Sequence, residues 1–282
     1  MTAPQISTEY FDGTPTGDCV ARTDGAFAAV FALERSMPAA LRAFADEEAL
    51  VLLTLDDTLT GVTVAALAAG KTGEVLRGFL PLRGRSFFST VTILGGPGAT
   101  AYERAIDQTL SASDSVCLLS RLPSEMPTAA DTPDTADADL PSRWSALLQA
   151  LGRRPAGRFA ADPDACDNAW ISSTPARGMS GHYITEGRGA KAFGALEADG
   201  FVVKAGSRSA PADPTPAFIA PLRNVVKQLA ADGTLAKSDG VWCFTRDVCF
   251  PSAALAASIL MRTAAGANVW IRTDDCSATE LD

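Results

Sequence analysis

Several short stretches combine residue types that could do chemistry. Gly178-Met179-Ser180-Gly181-His182 brings a hydroxyl and the chain's single imidazole together in a glycine-rich loop. A hydrolase elbow needs glycine where His182 stands, and nearness in sequence is not triad geometry. Ala65 to Thr72 (AALAAGKT) fits a loose phosphate-loop pattern with alanine replacing the first glycine. Such a loop wraps backbone amides around phosphates and needs permissive residues, whereas Ala-Ala-Leu-Ala-Ala is stiff. Gly95-Gly96-Pro97-Gly98 leads into a helical stretch, where it reads as a tight strand–helix turn or as an anion cradle. Lys204, Ser207, Arg208 and Arg223 would gather near one strand end and one helix start. They could touch nucleic-acid phosphates or an acidic partner, and a solvated face accounts for the same residues.

Two counts narrow the chemistry. One histidine rules out His-cluster zinc sites and multi-His relays. The six cysteines (19, 117, 166, 243, 249 and 276) contain no C-x-x-C pair and are expected to be reduced and mostly buried. The net charge of −9 weighs against strong unaided nucleic-acid binding, which phosphate neutralisation dominates, but leaves room for a local basic patch. Acidity is concentrated early: residues 1–119 hold 8 basic and 14 acidic residues, against 10 and 11 in residues 181–282.

The elements that must position these residues follow from apolar patterning. At 282 residues, 47% of them hydrophobic, the chain has material for about two domains. Leu50–Leu55 reads as a buried strand and Gly61–Leu67 as its hairpin partner, followed by a helix from Glu74 to Phe79. Ser86–Leu94 reads as a third strand and Ala99–Leu110 as a helix. Leu122–Pro141, rich in Pro, Thr, Ala and Asp, is expected to be a linker. Trp144, Leu147, Leu148 and Leu151 then fall on one face of a short helix.

Further on, Gly200–Ser207 is expected as a strand and Pro221–Leu229 as a helix. Val241–Phe244 and Val248–Phe250 are expected as a hairpin, with an Ala-rich helix over 253–265 and a strand over 269–271 after it. Trp242 and Trp270 are expected in the core. The class is α/β (α+β), arranged as 1–120, a 121–180 linker with its amphipathic helix, and 181–282. The opening residues lack the basic and apolar regions of a secretory signal, and no apolar run reaches the ~18 residues of a membrane span, so a cytoplasmic location is expected.

Two stretches resemble known families. Gly200–Ser207, Leu222-Arg223, Asp232-Gly233, Phe244–Asp247, Phe250–Ser252, the alanines at 253, 254, 256 and 257, and Gly266 with Asn268 and Trp270 resemble a domain of unknown function. That domain is commonly appended to GIY-YIG nuclease-family proteins, and it has no assigned activity. The N-terminal part resembles the nuclease-like half of the same two-part proteins, with a small mixed sheet. Ile6–Gly17 resembles its opening strand and turn, Leu50-Val51-Leu52 (or Ala49-Leu50-Val51) stands in the GIY position and Leu67-Ala68-Ala69 in the YIG position. Phe87-Phe88 occupies an aromatic position before the third strand.

The resemblance implies that Arg77 steadies phosphate charge and that Glu103 holds a divalent metal, Mg²⁺ in an active enzyme. Both tyrosine positions are aliphatic, and Leu and Val cannot move a proton. Tyr102, beside Glu103, does not simply substitute. The expectation is therefore a non-catalytic or weakly catalytic, nuclease-related protein that binds nucleic acid or a protein partner. The alternatives are an active Mg²⁺-dependent endonuclease using Arg77 and Glu103, and an interaction module with no affinity for nucleic acid. A surface arginine and a helix carboxylate joined in an ion pair would account for Arg77 and Glu103 equally.

Overall fold

A computed structural model describes residues 5–11, 18–23, 25–33, 39–80, 86–111, 116–119, 139–151, 181–197, 200–211, 213–238 and 240–273, without the side chains of 39, 109, 149 and 150. The expected linker up to residue 138, Ser180, Cys166 and Cys276 lie outside them. The chain is α+β and divides into two compact units. Unit 1 comprises Met1–Leu55, Ala65–Leu80 and Phe88–Ser172; unit 2 comprises Asp56–Val64, Pro81–Phe87 and Ser173–Asp282. The division does not follow chain order.

Unit 1 is built on a seven-stranded sheet. Its strands are β1 (Ser7–Tyr10), β2 (Cys19–Thr23), β3 (Ala26–Ala32), β4 (Glu48–Asp56), β5 (Thr63–Lys71), β6 (Thr90–Gly95) and β7 (Val116–Leu118), in the order β1-β2-β3-β6-β4-β5-β7. β3 and β4 both pair antiparallel with β6, Val30 and Leu52 lying opposite Thr92. Among the described residues the unit has three α-helices: α1 (Thr72–Phe79), α2 (Glu103–Ser111) and α3 (Leu140–Ala150).

Both faces of the central strands are buried. Ala26, Ala28, Val30, Leu50, Leu52, Ala65, Leu67 and Leu94 join Ile106 and Leu110 of α2, and Trp144, Leu147, Leu148 and Leu151 at α3, in one core cluster. On the other face, the Phe27 and Phe31 rings meet Phe44 at 5.3 and 5.7 Å between centroids. A sheet covered on both sides needs continuously apolar strands rather than alternating ones, and β3 is buried from Ala26 to Phe31. The expected third strand begins at Thr90 instead of Ser86, because the Ser89 amide and hydroxyl both bond the Thr54 carbonyl at the strand's mouth.

Trp144 locks α3 to the sheet. Its indole is fully buried and Nε1 donates to the Gly95 carbonyl at 3.0 Å. Gly95 is constrained on its other side, since the ring of Phe27, its cross-strand partner, occupies the space a Cβ would need.

Unit 2 carries β8 (Gly181–Thr185), β9 (Ala192–Glu197), β10 (Gly200–Val203), β13 (Val248–Phe250) and β14 (Ile271–Thr273) in one sheet, ordered β13-β10-β9-β8-β14. β11 (Leu235–Ser238) and β12 (Val241–Phe244) form a separate two-stranded sheet. Helices α4 (Ala220–Ala231) and α5 (Ala253–Met261) pack on each other, and α5 packs on β10 and β13. The expected hairpin of Val241–Phe244 with Val248–Phe250 does not form. β12 pairs with β11 and β13 pairs with β10, because Thr245 and Arg246 turn back to bond Thr234 while Asp247 reaches the Ala205 amide.

Other expected bounds shift as well. The strand from Gly200 ends at Val203, at the turn through Ala205 and Gly206. The Ala-rich helix stops at Met261, where Arg262 takes a left-handed conformation, and the last strand is Ile271–Thr273. Trp270 is core, its ring 4.5 Å from that of Phe201. Trp242 is only half-buried, with Lys237 over its ring. Of the four described cysteines, all free thiols, only Cys19 is buried. No described helix is long and apolar enough to cross a membrane.

Replacing Trp144 by Phe keeps the aromatic bulk but leaves the Gly95 carbonyl without its donor. A loss of about 1–3 kcal/mol is expected in the unfolding transition of unit 1, measured by urea denaturation.

Candidate functional site

The triplet positions of the expected nuclease centre fall on β4 and β5, which lie side by side in the sheet. The residue standing for the tyrosine of the second triplet, Leu67, is buried in the core cluster. Glu103 begins α2, where a carboxylate complements the positive end of the helix. Its Oε1 accepts a hydrogen bond from the Ala69 amide of β5 at 3.2 Å. Burial pushes the Glu103 carboxyl above its ordinary value; the Ala69 hydrogen bond opposes that rise and the charge of Asp107 adds to it. Glu103 is therefore a clasp between α2 and β5, with one oxygen already used.

Arg77 is exposed on α1 and donates Nε to the Gly73 carbonyl one turn earlier, at 2.9 Å. Among the described residues no hydrogen bond or ion pair joins Arg77 to Glu103, so the ion pair considered from sequence does not form. Tyr102 packs edge-on against Trp144, 5.6 Å between ring centroids. Among the described residues no group of three or more His, Cys, Asp or Glu side chains could hold a metal ion.

The other stretches resolve in structural terms. Ala65–Lys71 is strand β5 running directly into α1, with no phosphate-cradling loop. The first two amides of α1, which an anion would need, already donate to backbone: Thr72 to Glu47 O at 2.9 Å and Gly73 to Ala45 O at 2.9 Å. Gly95-Gly96-Pro97-Gly98 is the expected strand–helix turn, Gly98 taking a left-handed conformation before a 3-10 turn over Ala99–Tyr102. A cleft of about 430 Å³ lies against it, and the Glu47 and Glu48 side chains in its lining disfavour anions. Burial pushes the Cys117 thiol up to about 11, which disfavours the thiolate that nucleophilic chemistry would need. His182 sits exposed in β8, and Ser180 lies outside the described residues.

The four polar residues of unit 2 have different fates. Lys204 Nζ lies 3.1 Å from Asp247 and 3.3 Å from Glu197, so its charge is matched twice over. The Asp247 hydrogen bond is the main cause that raises the Lys204 ammonium above its ordinary value, while the Ala205 amide is the main cause holding the Asp247 carboxyl below its own. Ser207 is buried, its hydroxyl bonded to the Phe193 amide at 3.1 Å. Arg223 donates to the Phe218 carbonyl at 2.9 Å. Arg208 is exposed, and its backbone bridges Lys191 on one side and Cys243 on the other. The four thus differ in environment: one is ion-paired, one buried, one bonded to a backbone carbonyl and one exposed on a strand bridge.

Two residues central to unit 2 were not singled out from sequence. Asp57, 3% exposed in the turn after β4, takes hydrogen bonds from the Leu59 and Thr60 amides through Oδ1. Its Oδ2 accepts from Ser252 Oγ at 2.5 Å and from the Ala254 amide at 2.7 Å, at the start of α5. Ser252 in turn caps the Leu255 amide, the role for which a serine just before a helix is suited. At the other end of α5, Arg188 Nη1 donates to the Met261 carbonyl at 2.6 Å. The two ends of the helix dipole therefore carry opposite charges of the favourable sign.

Residues 183–282 match the family model of a domain of unknown function (DUF4357). No GIY-YIG family match accompanies it. No curated protein and no solved structure matches the chain.

Two outcomes are expected. Asp57→Ala leaves four buried or half-buried donors without their acceptor, so hydrogen exchange at the Ala254 and Leu255 amides should accelerate by roughly tenfold or more. The amides of Val51 to Leu53 should be unaffected. For Glu103 the folded-state value is raised, so its ionisation opposes folding: stability contributed by this group is present below the ordinary carboxylate value and lost as pH rises through the folded one. Glu103→Gln keeps an acceptor for Ala69 and removes the charge. Equilibrium unfolding above that window should find the variant as stable as wild type or more so, with the difference vanishing on acidification.

Proposed function

We propose that the protein is a non-catalytic binding protein, its first unit related to GIY-YIG nucleases, that engages nucleic acid through its second unit. The observation that carries the loss of catalysis is the packing around β5. Where an active enzyme would present a proton-accepting phenol, Leu67 is sealed in the core, and Glu103 is committed to the neighbouring Ala69 amide. An aliphatic side chain takes no proton from an attacking water, and a half-buried carboxylate bonded to backbone presents a weakened metal ligand. The relation to the nuclease family is supported by the run β4-β5-α1-β6-α2, in which both triplet positions fall on neighbouring strands and Glu103 on the following helix. The match over residues 183–282 supports the companion domain.

The test is a plasmid-nicking assay with Mg²⁺ or Mn²⁺, comparing wild type with Glu103→Ala. No cleavage above background is expected from either. Metal-dependent nicking by wild type that Glu103→Ala abolishes would make the protein an active endonuclease instead.

A further inference from the structure

We infer that Lys191 and Arg208 form a two-cation ladder on unit 2 that contacts the phosphodiester backbone of a nucleic acid; this rests on the binding function proposed above and names its contact. Lys191 and Arg208 exchange both backbone hydrogen bonds, Arg208 N to Lys191 O at 2.7 Å and Lys191 N to Arg208 O at 3.1 Å. Residues paired in this way point their side chains to the same face of the ladder, with Cα atoms about 5.5 Å apart. The pattern of burial fixes that face as the outer one. Ala190 and Ala192 flank Lys191 and are buried, Ser207 and Ser209 flank Arg208 and are buried, and the two cations between them are exposed.

The row continues across a third strand. Arg208 is bridged to Cys243 of β12, with Ser209 N donating to Trp242 O and Phe244 N to Ser207 O, and Cys243 lies opposite the exposed Ala236 of β11. The result is an open stripe that begins with two positive charges and continues with small side chains.

Like charges placed directly opposite on adjacent strands destabilise a ladder unless a counter-charge relieves them. Among the described residues neither side chain has an acidic partner, in a chain with 33 acidic and 24 basic residues. Lys204, a few residues away in sequence, shows the contrast, since two carboxylates neutralise it. An anion from outside would relieve the repulsion. Lys191 and Arg208 are exposed, and two hydrated cations hold a lone small anion weakly. A linear polyanion lying along the stripe gains from each phosphate whose counterions it releases, which favours a nucleic-acid strand as the occupant.

The experiment measures fluorescence anisotropy of a labelled single-stranded oligonucleotide, and of the corresponding duplex, against the 282-residue chain across a salt series. Lys191→Ala and Arg208→Ala should each weaken binding and flatten the slope of log affinity against log salt, by about 0.7 for the single strand or 0.9 for the duplex. Arg208→Lys should retain the slope. Lys71→Ala, the same change of net charge in unit 1, should leave it unchanged. Binding by wild type with slopes unaltered in both ladder variants would overturn this assignment and leave the function above standing. No wild-type binding even at low salt would overturn both. A polyglutamate of matched charge that binds as tightly, and loses affinity in the same variants, would replace the nucleic acid by an acidic protein surface.

Discussion

A carboxylate can remain buried at the start of a helix only when its oxygens are fully used, and unit 2 depends on that condition at Asp57. One oxygen closes the turn through Leu59 and Thr60, and the other holds Ser252 and Ala254 at the head of α5. The negative charge meets the positive end of the helix dipole, while Arg188 meets the carbonyls at the other end. With both ends satisfied, α5 can be apolar but for Ser258 and be buried along its whole length. The folding unit consequently gathers residues 56–64 as well as the region matched by the family model.

Much of this architecture was legible in the residues. β4, β5, α1 and α2 follow from apolar runs and their breakers, and the Trp144–Leu151 face was readable from helical spacing alone. β2 and β3 were not, because Ala26-Phe-Ala-Ala-Val-Phe-Ala, buried on both faces, has neither the alternation of a half-exposed strand nor the period of a helix. The pairing of β12 with β11 was hidden for another reason. Which strand accepts a partner is decided by long-range hydrogen bonds, here from Thr245, Arg246 and Asp247, that short-range pattern does not encode. The hold of Asp57 on α5 was equally silent, since its donors there, Ser252 and Ala254, lie 195 and 197 residues away.

The polar candidates show the same divide between type and placement. Lys204, Ser207, Arg208 and Arg223 look equivalent in sequence, yet one is neutralised, one is buried, one bonds a carbonyl and only Arg208 is exposed beside a second cation. Residue type indicated that phosphate chemistry was feasible. Strand register decided which side chain faces water, because a one-residue step along a strand reverses the face. In unit 1 the same logic places Leu67 inward and makes Glu103 a brace, so a charged helix start serves cohesion.

Helix α5 carries a further consequence. All nine of its residues are buried, five of them apolar or hydroxylated side chains set among four alanines. A rod enclosed on every side has no surface to offer a visitor, and enlarging Ala253, Ala254, Ala256 or Ala257 would force neighbours apart. Divergence in what this unit recognises must therefore be written on the strands and turns around the helix, while the helix itself stays nearly invariant in volume.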